Sequence, residues 1–478
     1  MSHRDWMIAI YADVLSWLYI SFPPAEGVSY VAGKWITDSV FRRVAVGVVS
    51  IAMTTAVAKA GEAEDACAKG SGEAALAACT QVIASGLYTG HVLAAFYYDR
   101  GLEYKNRGDI DSAISDYNKA IELDPAIGTA FDARGHAYED KGEFERAIAD
   151  FDEAVRLNPK DAFAFSHRGA ALRQRGDHDR AIADFNEAVR LDPDYAEGFS
   201  YRGSEYAEKG DYDRAIVDFD KAISLDPRLV SALNGRGKVY QSKGDHDRAI
   251  ADFSAAITLN PKLAPTFNGR WRDEGEYTRA TRGTHVSALD SDAKYAEAFH
   301  NRGISYTIKG DFDHAVDDFE EAINLDSKLA RAIGYRSRGH AYFELGNFAG
   351  AAEDMLRVNE VADDAYAMLW RFLARRRLGE DGTGELITYA ERLKTKATKE
   401  WPYPVIEFYL RSRTVGELRD TARTPEQKCE AEFYIGEQYV LDGNSDYAKA
   451  SFQAAAETCP KTFIEYAGAI AEIKRLKR

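Results

Sequence analysis

Arg-Gly pairs begin at Arg100, Arg134, Arg168, Arg202 and Arg236, 34 residues apart each time, and return at Arg302 and Arg338. In every copy a second glycine follows seven residues after the first, and a defective eighth copy reads Arg270-Trp271. A fixed period of this length marks stacked supersecondary units that cannot bury their apolar faces alone. The chain is therefore expected to be all-α, a superhelical solenoid of antiparallel helix pairs, with most of its 478 residues in one array.

One unit, around Ile127 to Leu157, shows why. Gly135 and Tyr138 place a small and then a bulky residue on the first helix, while Ala147, Phe151 and Ala154 form a stripe on the second. Small residues let two helices approach closely, and the aromatic fills the gap beside them. Gly142 ends the first helix, and Asn158-Pro159 ends the second. With these positions recurring together, the chain resembles the tetratricopeptide repeat (TPR) family over roughly 270 residues. Units headed by Gly101, Gly135, Gly169, Gly203, Gly237, Gly303 and Gly339 keep the pattern. A ninth, with Gly436, Tyr439, Gly443, Ala448, Phe452, Ala455 and Pro460, lies apart near the C-terminus.

An arginine stripe could be a ladder for an anionic ligand. Yet Asp116, Asp150, Asp184, Asp218, Asp252, Asp318 and Asp354 each follow their arginine by sixteen residues. In the ninth unit both members change together, to Ile435 and Ser451. Joint loss implies contact, so an Arg–Asp clip between the two helices is expected, adding register more than net stability. In the sixth unit, 268–300, Arg270 has no such aspartate, Trp271 replaces the glycine and Thr281 to His285 break the stripe. A decayed repeat or a local frame disturbance would account for this, and a bend is expected there.

The expected organisation is an N-terminal extension over 1–40, a signal peptide over 41–60 and a truncated hairpin over 61–90. The array follows over 91–360, then an irregular helical linker over 361–425 and a final repeat with its capping helix over 426–478. Phe41-Arg42-Arg43, the apolar run from Val44 to Ala58 and Ala58-Lys59-Ala60 read as the n-region, core and cleavage site of a bacterial export signal. Residues 1–40 then read as a true extension or as a start placed too early, with Val40 as an alternative initiator. Export to the periplasm is the expectation; an uncleaved N-terminus held in the inner membrane is the alternative. No lipobox precedes Cys67, so no lipid anchor is expected.

Cysteine usage agrees with an oxidising compartment. Cys429 and Cys459 sit where the two ends of the ninth hairpin meet, and Cys67 faces Cys79 across the truncated one, so both pairs are expected as disulfides. Net charge of −16 and the lack of a basic, aromatic-interleaved patch oppose nucleic-acid binding. No metal-ligand spacing, phosphate loop, Gly-x-Ser-x-Gly or His-Glu-x-x-His occurs, so neither enzyme activity, cofactor nor metal is expected.

The Leu369-Trp370 helix, the stretch Trp401 to Leu410, Phe433 to Gly436 and the helix from Phe463 to Tyr466 resemble the C-terminal half of the NlpI family of periplasmic TPR lipoproteins. That resemblance implies a scaffold docking a C-terminal-processing protease or a peptidoglycan hydrolase. The alternative is a generic interaction module of a secretion or polysaccharide-export complex. Family position implies a partner groove along the first helices, first at Asp132, His136 and Glu139, then at Phe163, Ser166 and Arg173. The next units add Glu197, Ser200 and Ser204, then Asn234 and Lys238, and finally Glu297 and His300.

Overall fold

A computed structural model describes residues 62–259, 288–325, 333–393, 400–461 and 463–477. The extension, the signal segment, Arg270-Trp271 and the Thr281 to His285 break lie outside them. Regular structure among the described residues is helical, and none of these helices is long and apolar enough to cross a membrane. Contacts divide the chain into two units, 1–157 and 158–478.

Each repeat is a helical hairpin whose boundaries follow from local chemistry. Asp109, Asp177, Asp211 and Asp245 precede the second helices, and each side chain accepts the backbone N–H three residues on. The hairpin turns at a glycine with positive φ, for example Gly142 at 74° and Gly210 at 77°. Where the two helices cross, the Arg-Gly glycine meets the second-helix aromatic: a Cβ on Gly135 would lie 2.6 Å from the Phe151 ring. Gly135→Ala should therefore destabilise the second hairpin by ~1–3 kcal/mol through overpacking, despite alanine's better helix propensity. Urea titration would expose an error here if the variant proved more stable than wild type.

The first unit contains a helix over 62–69, the helix Gly72–Ala84, and the hairpins Gly90–Asn106/Ile110–Leu123 and Gly128–Asp140/Phe144–Leu157. Cys67 and Cys79 form a disulfide across the first two helices. The N-terminus of Gly72–Ala84 is tied to the next hairpin, because the Gly72 N–H donates to Glu103 at 2.7 Å.

The second unit begins with the hairpins Ala162–Gln174/His178–Leu191, Ala196–Glu208/Tyr212–Leu225 and Val230–Ser242/His246–Thr258, the third to fifth repeats. A long helix, Ala288–Lys309, then leads into Phe312–Leu325, so the last residues assigned to the sixth unit belong to the seventh repeat's first helix. This helix packs directly on the fifth repeat. Arg236 reaches back from the fifth repeat to Asp220 of the fourth at 2.5 Å, and Arg302 makes the equivalent bond to Ser254 of the fifth at 3.0 Å. Likewise Lys243 pairs with Asp213, and Lys309 with Asp247. Ordinary neighbour contacts thus join repeats five and seven, while the break at which a bend was expected lies outside the described residues.

The eighth repeat, Tyr335–Leu345/Phe348–Val361, opens the largest core of the unit. Residues expected as an irregular linker contribute Ala365–Arg377, Thr383–Leu393, Tyr403–Tyr409 and Val415–Thr421. Trp370, Leu373, Val405, Ile406 and Leu418 from these helices are buried in that core. The ninth hairpin, Pro425–Leu441/Ser445–Thr458, is closed by the Cys429–Cys459 disulfide. Replacing both cysteines by serine should lower the stability of this hairpin by about 3–4 kcal/mol through the restored loop entropy. Amide exchange over 425–458 measures it; unchanged protection would refute the estimate.

Candidate interaction face and the arginine clips

All seven Arg–Asp pairs form, each with two parallel bonds from Nε and Nη2 of 2.6–2.9 Å. The seven aspartates are buried. The fork geometry explains the arginine, since lysine offers a point charge where two donors are needed. In five of the seven clips aromatic rings three residues before and four after support the guanidinium, as Phe199 and Tyr206 do for Arg202 at 5.4 and 6.0 Å. The remaining nitrogen reaches the preceding repeat, Arg134 to Asn118 at 2.6 Å and Arg202 to Asn186 at 3.0 Å. These side chains are fully committed inside and between hairpins. In the ninth unit Ile435 and Ser451 occupy the same two places, both buried.

In the second unit, the position two residues before Arg168, Arg202, Arg236 and Arg302 faces the next repeat. Ser166 accepts from the Tyr195 hydroxyl at 3.3 Å, Ser200 lies 3.5 Å from Ser231, and Asn234 donates to the Lys294 carbonyl at 2.9 Å. His300 sits 3.2 Å from Ser337, and burial holds its pKa below the usual histidine value. All four expected groove residues are buried and serve as inter-repeat contacts. In the first unit, Asp132, His136 and Glu139 line one face of Gly128–Asp140, with His136 Nδ1 2.8 Å from Glu139.

The rest of the expected set reaches the surface of the second unit. Phe163 is 46% exposed and meets Tyr195 edge-on at 4.9 Å. Glu197 and Ser204 are half-buried, and Lys238 and Glu297 form an exposed pair at 3.1 Å. Arg173 lies over the Tyr201 ring at 6.0 Å with its Nε 3.7 Å from Glu205. Phe163, Arg173, Glu197, Ser204, Lys238 and Glu297 thus make a first-helix face of mixed charge with one exposed aromatic anchor.

Glu205 escaped the sequence reading. It is buried and held by His178 Nδ1 at 2.8 Å. A signal was present: three residues after the arginine, the other Arg-Gly repeats carry Ala137, Ala171, Val239, Ser305 and Ala341, and among these seven only Glu103 and Glu205 are acidic. An acid in a position kept small elsewhere needs a dedicated partner, and both have one.

Models of the tetratricopeptide repeat match residues 94–126, 133–196, 230–263 and 296–329, and a TPR repeat model matches 203–244. Among solved structures, MamA is 30% identical, covered over 97% of its length by 35% of this chain, with a TM-score of 0.32. YrrB, described as a TPR protein with an unusual peptide-binding site, is 24% identical, covered over 93% by 39% of this chain, with a TM-score of 0.32. In the APC/C Cut9–Hcn1 hetero-tetramer the matched chain is 17% identical, covered over 52% by 63% of this chain, with a TM-score of 0.47. The matched stretches and the hairpins they fall on make this chain a tetratricopeptide repeat protein.

Proposed function

We propose that this chain is an exported TPR adaptor that holds a processing protease or a peptidoglycan hydrolase of the bacterial envelope on its first-helix face. A protein-interaction module is what TPR repeats build; the compartment and the partner are the proposed part. The observation that carries the reading is the face itself. Phe163 stands exposed among Arg173, Glu197, Lys238 and Glu297, while the repeated Arg–Asp pairs beside it are consumed internally. An exposed aromatic at one end of a face of polar and charged residues suits a folded protein partner, and mixed charge sets its orientation. Both disulfides use the four cysteines of the chain, which supports an oxidising compartment.

The test is affinity capture from bacterial envelope extracts with wild-type protein and with Phe163→Glu. Recovery of a processing protease or peptidoglycan hydrolase by wild type, and its loss with the variant, is the expected result. Recovery of secretion or polysaccharide-export components alone would move the protein to that machinery and end the adaptor reading.

A further inference from the structure

The last helix, Ile464–Arg475, covers the C-terminal end of the core with Phe463, Tyr466 and Ile473. It also lies across three first helices, Ala288–Lys309, Tyr335–Leu345 and Pro425–Leu441. Its broadest packing is on the second helix Ser445–Thr458, and its other side shares the first-helix surface that carries Phe163 and Arg173 in the earlier repeats. Its buried residues are Glu465, Ala467, Gly468, Ala469 and Glu472, of which Glu465, Gly468 and Glu472 share one helical face, with Arg475 one turn further on. Gly468 is pressed so close that a Cβ would lie 2.8 Å from the Phe433 ring and 2.9 Å from a Glu344 carboxylate oxygen. Arg475 donates to the Glu344 carbonyl at 2.7 Å, and Glu472 pairs with Arg377 at 3.0 Å, which also holds Glu437 at 2.8 Å.

This seat is unlike a permanent core. Of its apolar residues only the small Ala467 and Ala469 are buried, whereas Ile464, Tyr466, Ile470 and Ile473 are half-buried. Three buried carboxylates, Glu344, Glu437 and Glu472, share two guanidinium groups, and both Glu344 carboxylate oxygens lack a hydrogen-bond partner. Burying such acidic groups costs desolvation, which pairing only partly returns and which an unpartnered oxygen does not recover at all. The preceding helix, by contrast, buries Ala448, Phe452 and Ala455, and the Cys429–Cys459 bond closes the hairpin immediately before the last helix begins. The covalently closed hairpin ends at residue 459, and the strap lies beyond it.

We infer that Ile464–Arg475 is a releasable strap, a resident ligand of the first-helix face, which a partner helix with a small residue set between two glutamates replaces. This rests on the reading that the first-helix face receives a protein partner. Tethering gives the strap an effective concentration in the millimolar range, so it excludes a weak competitor until its own seat is damaged.

The test uses the full chain and a fluorescein-labelled peptide of residues 461–478. Wild type should bind the peptide weakly, whereas Gly468→Leu, whose own helix cannot seat, should bind it at least ~10-fold more tightly. Amides of 464–475 should lose exchange protection in the variant while those of 425–458 keep theirs. Arg475→Glu, which breaks the seat at its rim, should behave alike and stands in if the leucine variant fails to fold. Equal peptide binding by variants and wild type, or loss of protection spreading through 425–458, overturns the strap. Because the probe is this chain's own helix, that failure would leave the envelope capture result standing, and the reverse holds too.

Discussion

Arg202→Ala should destabilise the fourth repeat by ~3–5 kcal/mol, far beyond a surface ion pair, because it strands the buried carboxylate of Asp218. The pair is bonded twice at 2.7 Å, its side chains are 18% and 6% exposed, and the bonds to Asp218 raise the arginine pKa above its ordinary value. The double replacement Arg202→Ile with Asp218→Ser copies the arrangement that Ile435 and Ser451 already occupy in the ninth unit. It should recover most of the loss, to within ~1.5 kcal/mol of wild type, since removing both partners leaves no orphaned charge. Local amide exchange over 196–225 is the appropriate measurement, because repeat arrays do not unfold in one step. Equal destabilisation by the single and double variants would show that the clip acts through the arginine's other contacts, to Asn186 and the flanking rings.

What the sequence made legible was whatever repeats with the same residue type. The hairpins, their turns and the Arg–Asp pairs recur with one chemistry each, and the joint change at Ile435 and Ser451 identified contact before any coordinates did. The arginine's third bond was harder to see. Its acceptors, Asn118, Asn186, Asp220 and Ser254, keep the 34-residue rhythm but not one residue type, because any compact acceptor satisfies one N–H. The junction of repeats five and seven hid for the same reason. On the first helices, family position could not separate Ser166, Ser200, Asn234 and His300, which face the next repeat, from Phe163, Arg173 and Lys238, which face outward. Only packing decides that, although the small serines were consistent with close approach. The last helix misled in a different way. Its large apolar residues Ile464, Tyr466, Ile470 and Ile473 are half-buried while Glu465 and Glu472 are buried, and a charged stripe normally reads as solvated.

The pH dependence of stability should betray that charged seat. Burial pushes the Glu344 carboxyl up to about 8, against the opposing pull of Arg475 on the last helix and Arg377 on Ala365–Arg377, with Glu437 and Glu465 adding repulsion. Glu465 is pushed up to about 7 by burial and by Glu430. A carboxyl whose folded pKa is raised favours the fold fully below its unfolded value, near 4.5, and that contribution is lost as pH rises through the folded pKa. His340, buried beside Arg336 and the Trp370 ring, is lowered to about 3 and acts oppositely: its contribution is present above pH ~6.5 and lost as pH falls toward 3. Between pH 5 and 8.5 the two glutamates outweigh the histidine, so these groups together should remove on the order of 5 kcal/mol. Glu344→Gln isolates the largest share. Its unfolding free energy should fall less steeply over that range than that of wild type, by roughly 3–5 kcal/mol in total. Urea unfolding of both proteins at pH 5 and pH 8.5 supplies the comparison. Parallel profiles would mean that Glu344 is solvated in its seat, and the desolvation cost attributed to the last helix would have to come from Glu437 and Glu472 alone.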